Sequence, residues 1–169
     1  MKIEHIVIHC SDSEWGSASV IRQWHLARGW KDIGYSLVIS NGKPFAGFKD
    51  KWEFMDGSVE AGRQLNDNEF IEPNEVQAAA LGYNDSAINI CLIGKYFFTR
   101  AQLWTLQDVV HELQNKFDIP TENILGHYET EHANGKTCPN IPMSTLREFI
   151  DDRTGAGELQ YQIKMHNEQ

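Results

Sequence analysis

The sequence has no apolar run approaching the roughly 20 residues that a membrane-spanning helix needs, and no apolar leader precedes its strand-like opening, IEHIVIH. Both absences lead us to expect a chain synthesised in the cytoplasm without a signal peptide and without membrane insertion. Positive charge is also scarce: 15 Lys and Arg stand against 24 Asp and Glu, a formal charge of −9. Such a surface repels phosphate backbones and anionic lipid, which argues against a general nucleic-acid binder. Cysteine is sparse too. Cys10, Cys91 and Cys138 cannot all pair with each other and are too few for a disulfide scaffold, so each needs a packing or a chemical role. There is no internal repeat and no low-complexity tract. What is present, 169 residues of which 41% are hydrophobic, suffices for one buried core and is too short for two full enzyme domains.

The order of the elements indicates a layered α/β domain. Ile3 to His9 carries Ile6, Val7 and Ile8 in succession, as expected of a central strand covered on both faces. From Ser17 to Arg28, Val20, Ile21, Trp24 and Ala27 keep helical spacing, and Gly29 stands where a helix stops. SLVIS, the turn dipeptide Asn41-Gly42 and KPFAGF read as a hairpin. Lys49 to Asn74 is polar with weak periodicity and reads as a long surface excursion. AINICLIG, Ala87 to Gly94, is a second buried strand. Thr99 and Gln102 form a capping box before a helix whose stripe is Leu103, Leu106, Val110, Leu113 and Phe117. A short strand over Ile124 to His127 precedes a loop to Met143, and Ser144 is placed to cap a helix burying Leu146, Phe149 and Ile150. The expected fold is a mixed central sheet with helices on both faces. It forms one domain over residues 1–153, and a tail, 154–169, has little to bury and is expected to fray.

Candidate chemistry gathers at the ends of two strands. His9 closes the first, His127 closes a late one, and Cys138 follows after ten intervening residues in GHYETEHANGKTCPN. Two imidazoles and a thiolate suffice for a catalytic zinc with its fourth position left to water. Spacing alone is weak support, because no CxxC or HExxH pair is present. Strand alternation puts His5 on the face of His9, but four residues at roughly 3.3 Å each hold the two about 13 Å apart, too far for one ion. Cys10 points to the opposite face and Cys91 sits in an apolar run, so both read as core residues. His111 belongs at the edge of its helix stripe or in solvent, and His25 and His166 offer only surface or packing roles. His132 flanks the same loop as His127, and periodicity does not choose between them.

The strings IVIHCSDS, WHLARGWKDIGYSLVISNGK, GYNDSAINICLIG, GHYET and GKTCPN, in this order, resemble the zinc-dependent N-acetylmuramoyl-L-alanine amidases. That family includes the amidase-type phage lysozymes, or endolysins, and is related to the peptidoglycan recognition proteins. The likeness runs from about Glu4 to Ile150, and its blocks are specific together rather than singly. It implies zinc ligands at His9, His127 and Cys138, one Zn2+ per chain, with His127 chosen over His132 as the histidine of a Gly-His pair. It also implies a catalytic tyrosine at Tyr35 and a catalytic lysine at Lys136. Two neutral imidazoles and one thiolate would leave the ion a net positive charge that acidifies its water toward neutral pH. A cation near it, Lys136, would stabilise the oxyanion of an attacked amide, and the Tyr35 phenol would hydrogen-bond the water or shuttle its proton.

The chain departs from the family pattern at Ser36 and Ala79, where many relatives have His, at Asn140, where Gly is usual, and in a somewhat longer loop from His127 to Cys138. None of these removes a ligand; they bear on substrate preference and turnover. The implied activity is hydrolysis of the amide between N-acetylmuramic acid and L-alanine in peptidoglycan, by a monomeric phage or prophage endolysin that acts on the cell wall after release through a partner-made membrane lesion. The negative net charge means that wall binding depends on specific groove contacts. Rival readings are a wall-recycling amidase, a non-catalytic peptidoglycan-binding module, which would commonly lack the ligand cysteine, and a cysteine amidase using Cys138 with His127. The last would leave His9 and Lys136 without roles.

Overall fold

The computed structural model describes residues 1–152 and 155–169, so the boundary expected between 153 and 154 lies outside the described residues. Its five-stranded sheet runs in the order β3-β2-β4-β1-β5, from β1 (His5–Cys10), β2 (Leu37–Asn41), β3 (Asp56–Ala61), β4 (Ala87–Leu92) and β5 (Ile124–Gly126). β2, β4, β1 and β5 are mutually parallel and β3 is antiparallel to β2. This is the mixed sheet expected.

Alternation along the central strands divides the core. Ile6, Ile8 and Cys10 of β1 join Ile88, Ile90 and Leu92 of β4 on one face, under α2 (Arg100–Phe117), α3 (Met143–Asp151) and α4 (Ala156–Glu168). On the other face Val38 and Cys91 pack with Ala18 and Ile21 of α1 (Ala18–Ala27), and Val7 and Ala87 pack with Ala80. His9, one residue from Cys10, is thereby on the α1 face. α1 is capped by Ser17, whose hydroxyl accepts from Val20 N at 3.2 Å, and the Thr99–Gln102 capping box of α2 forms as read.

Four local readings change. The chain does turn at Asn41-Gly42, but the partner of β2 is Asp56–Ala61 and not KPFAGF. Pro44 has no N–H to give to a ladder, and the Gly42 carbonyl accepts instead from Trp52 N at 2.9 Å. Accordingly the excursion from Lys49 to Asn74 contains a strand. As an edge strand with Val59 45% exposed, β3 lacks the apolar alternation that would have marked it. α3 begins one residue before Ser144, behind Pro142; the free N–H of Met143 donates to the Tyr128 hydroxyl at 3.0 Å, so no Ser144 cap is used. Finally, the tail does not fray. Ala156, Leu159 and Ile163 fall on one face of α4 and are buried in the core beside α2 and α3.

Candidate metal centre and catalytic site

Parallel pairing of β1 with β4 and β5 brings the C-terminal ends of three strands together, and the cluster sits there. His9 is the penultimate residue of β1. His127 follows β5 directly, in a single 3-10 turn over His127–Glu129. Gly126 before it is required by close approach: a β-carbon there would lie 2.7 Å from Met143 Cγ. The turn is clamped by Glu129, which accepts from Gly126 N at 2.9 Å and from both terminal nitrogens of Arg147 at 2.9 and 2.8 Å. Burial by itself would raise the Glu129 carboxyl, but the hydrogen bonds from Arg147 and Gly126 hold it below its usual value. Tyr128 N donates to Cys138 O at 2.9 Å, tying the far end of the loop back to its start.

The structure therefore brings His9, His127 and Cys138 to one place. One donor atom from each lies within 4.8 Å of the others, a group able to hold a metal ion, with both histidines buried. Cys138 Sγ is 3.9 Å from His9 Nδ1 and accepts from Cys10 N at 3.3 Å. His132 is not part of the group; its ring lies over Gly82. His5 and Cys91 are outside it too. Cys10 packs in the core as expected, and Asn140 Nδ2 reaches its sulfur at 3.7 Å. His111 bonds Ile150 O at 2.6 Å, and buried His25 accepts from Gly34 N at 2.9 Å, a packing role.

Electrostatics keep the imidazoles neutral. Burial, repulsion from His127 and from Lys136 push His9 down to about 3 against the opposing bond to Asn89, and burial with Lys136 takes His127 to about 4. Their lone pairs are available at pH 7. The Cys138 thiol is held above its usual value by its contact with the Cys10 side chain and by burial, against the opposing bond from Cys10 N. Its thiolate thus requires a cation in place.

Lys136 is exposed, has no ion pair among the described residues, and is near enough to repel charge from both imidazoles. The ring of Tyr35 lies 5.0 Å from that of His9, and its phenol is held well above the usual value by burial and the neighbouring thiols, so it remains protonated. Gly34 permits this placement, since a β-carbon there would meet Ala78 O at 2.4 Å. A cleft of about 210 Å³ is lined by Cys10, Ser11, Asp12, Trp24, Arg28 and Tyr35; it shares Tyr35 with this group, and none of the three clustered side chains lines it. A larger one, about 570 Å³, lies at the N-terminal end of α2 around Lys49, Asp56 and Arg100 and touches none of these groups.

Comparison with known families decides the affiliation: residues 1–141 match the family described as N-acetylmuramoyl-L-alanine amidase. The chain belongs to that family. Among curated relatives, the amidase is 32% identical over 151 residues to the endolysin of Enterobacteria phage T3, covering 83% of this chain and 82% of that one. It is 30% identical over 149 residues to the endolysin of Escherichia phage T7, covering 82% and 81%. Among solved structures, the amidase LysC of Clostridium intestinale superposes with a TM-score of 0.67 at 22% identity over 89% of this chain and 87% of that one. Drosophila PGRP-LB gives 0.60 at 25% identity, covering 82% and 76%.

One feature of this amidase was missed in the sequence. Asn89 and Gln77, buried behind His9, form a polar chain with Ser36. Their signal was a polar residue inside the otherwise apolar strand AINICLIG. Asn140 explains its own departure: at φ 61° it occupies the left-handed region that glycine or asparagine tolerates, while its amide donates to Lys95 O at 2.9 Å.

Proposed function

We propose that this amidase is a zinc-dependent endolysin that hydrolyses the amide joining the lactyl group of N-acetylmuramic acid to L-alanine in peptidoglycan. The observation that carries the reading is the convergence of His9, His127 and Cys138 from three separate segments onto one point. Two neutral imidazoles and a sulfur, with both histidines buried, are the donor set of a catalytic zinc with a free position. Zinc, when bound, supplies a Lewis acid that activates water at neutral pH and polarises the amide carbonyl.

The chain's own residues supply the rest. Cys138 gives up its proton on metal uptake, while His9 and His127 need lose none. Lys136 brings an unpaired ammonium to the oxyanion that develops on the substrate. Tyr35, neutral against the His9 ring, donates or relays a proton through its hydroxyl. The cysteine-nucleophile alternative is disfavoured by the raised Cys138 thiol, the opposite of what an attacking thiolate requires. Relatives named endolysins support wall lysis as the setting.

Dialysis against a chelator should abolish lysis of purified walls and added zinc should restore it. Mass spectrometry of the digest should show stem peptides with a free L-alanine amine and intact glycan linkages. Full activity in a metal-free preparation, or cleavage between sugars, would overturn the proposal.

A further inference from the structure

A buried polar chain runs across the α1 face of the sheet, behind the cluster. His9 Nε2 lies 2.8 Å from Asn89 Oδ1, Asn89 Nδ2 donates to Gln77 Oε1 at 3.1 Å, and the Ser36 hydroxyl donates to the same oxygen at 2.5 Å. Strand pairing makes the first contact: Val7 is the register partner of Asn89, and His9, two residues on, shares their face. Relative exposures are 1% for His9, 0% for Asn89, 3% for Gln77 and 5% for Ser36, so bulk water does not compete for these bonds.

The direction of every bond in the chain follows from two backbone groups. The Ala87 carbonyl can only accept, so the amide nitrogen of Gln77 must face it, at 2.6 Å. The backbone N–H of Asn89 can only donate, so the Gln77 oxygen must face it, at 3.0 Å. Gln77 is thereby fixed. With an acceptor in front of it, the Asn89 side chain must present its NH2 to Gln77 and its oxygen to His9. A carbonyl oxygen only accepts, so the proton of neutral His9 resides on Nε2. The lone pair is left on Nδ1, the atom that faces Cys138 Sγ.

We propose that Asn89, oriented by Gln77, is a positioning residue that fixes His9 as its Nε2–H tautomer and so presents Nδ1 to the metal. A flipped Gln77 amide would set donor against donor at Asn89, and a flipped Asn89 amide would set acceptor against acceptor at Gln77, in a dry interior. Ser36, a departure from the family pattern, has a place here as the further donor that holds the Gln77 oxygen. The inference rests on the reading of His9 as a ligand, but its central claim is measurable without metal.

The test is histidine ring 15N NMR on the full-length protein, metal-free and zinc-loaded, near pH 7.5. His9 should carry its proton on Nε2 in both states. Asn89→Ala and Asn89→Leu remove the acceptor, the second while filling the space. Both should release His9 into mixed tautomers and weaken zinc binding about 10- to 100-fold in competition with a chromophoric chelator. A proton found on Nδ1 in the wild type overturns the proposal whether or not either variant folds. So does a folded Asn89→Leu with wild-type tautomer and affinity, which would reduce Asn89 to a packing role. Failure of the wild type to bind zinc at all would instead sink the metal reading, leaving the tautomer to be judged by NMR alone.

Discussion

An ammonium beside two buried imidazoles acts on them before any substrate arrives. Lys136 helps hold His9 and His127 neutral, and no carboxylate among the described residues pairs with it. If its charge matters chiefly to the oxyanion, Lys136→Ala should bind zinc normally and lose about 10² to 10³ in rate, roughly 2.7 to 4 kcal/mol. Tyr35→Phe keeps the ring contact with His9 and deletes the hydroxyl alone; a proton-relay role predicts a loss of about 10² or more with unchanged folding. Zinc stoichiometry and rate should be measured on the same samples as His9→Ala, which should lose both. Near-normal hydrolysis by the first two variants would refute the catalytic roles while leaving the family intact. At this scale the residues alone offered His127 and His132 equally, and only the Gly-His resemblance separated them. The physical reason, that Gly126 admits Met143 and Glu129 clamps the following turn, involves contacts from a helix that starts 16 residues after His127. Asn89 and Gln77 escaped notice because their meaning depends on which strand lies beside β1.

Elements announced themselves in proportion to how much apolar surface they bury. β1, β4 and α2, central and covered, were readable from predominantly apolar runs or a full stripe with a capping box. β3 at the sheet edge was not, and neither was α4, whose three buried residues are diluted among ten others. Dilution is not weakness. Leu159 is 1% and Ile163 2% exposed, and fully burying two such side chains contributes about 3 to 6 kcal/mol. Asn167 Nδ2 also donates to Asn140 O at 3.0 Å, in the segment just after Cys138, and Gln160 Nε2 donates to Phe98 O at 2.9 Å. Deletion of residues 155–169 should therefore lower unfolding stability by several kcal/mol in urea titration and reduce zinc retention. An unchanged midpoint would show that the helix adds nothing. The clamp on the His127 turn is a smaller matter: Arg147→Ala should cost about 1 kcal/mol, because both partners are partly solvated.

For the molecule as a whole, the layered α/β plan was legible because its central strands are apolar on both faces, while the burial of particular histidines was not, since it depends on how those layers meet. That burial sets the response to acid. His9 is held to about 3, and His25 and His127 to about 4 each, chiefly by desolvation in all three cases. In the unfolded chain each takes up its proton near the ordinary value of about 6.5. Below that pH the unfolded state binds more protons than the folded one, so acidification favours unfolding. Stability is thus full above about 6.5 and falls as pH drops toward 4, at about 1.4 kcal/mol per unit for each histidine, or about 4 for three. Glu129 adds a loss of the same sign only further down, as pH falls through its lowered value. The metal-free protein should accordingly begin to lose stability well before its carboxylates titrate, with proton uptake on unfolding approaching three near pH 5. Loading with zinc should raise stability most at high pH, where Cys138 yields its proton readily, and least at pH 5. Urea midpoints at pH 7.5, 6.0 and 5.0, with and without zinc, measure both effects. Metal-free midpoints that stay level from 7.5 to 5.0 would mean that these imidazoles accept protons in the folded state, and that the neutral donor set assigned to the cluster is wrong.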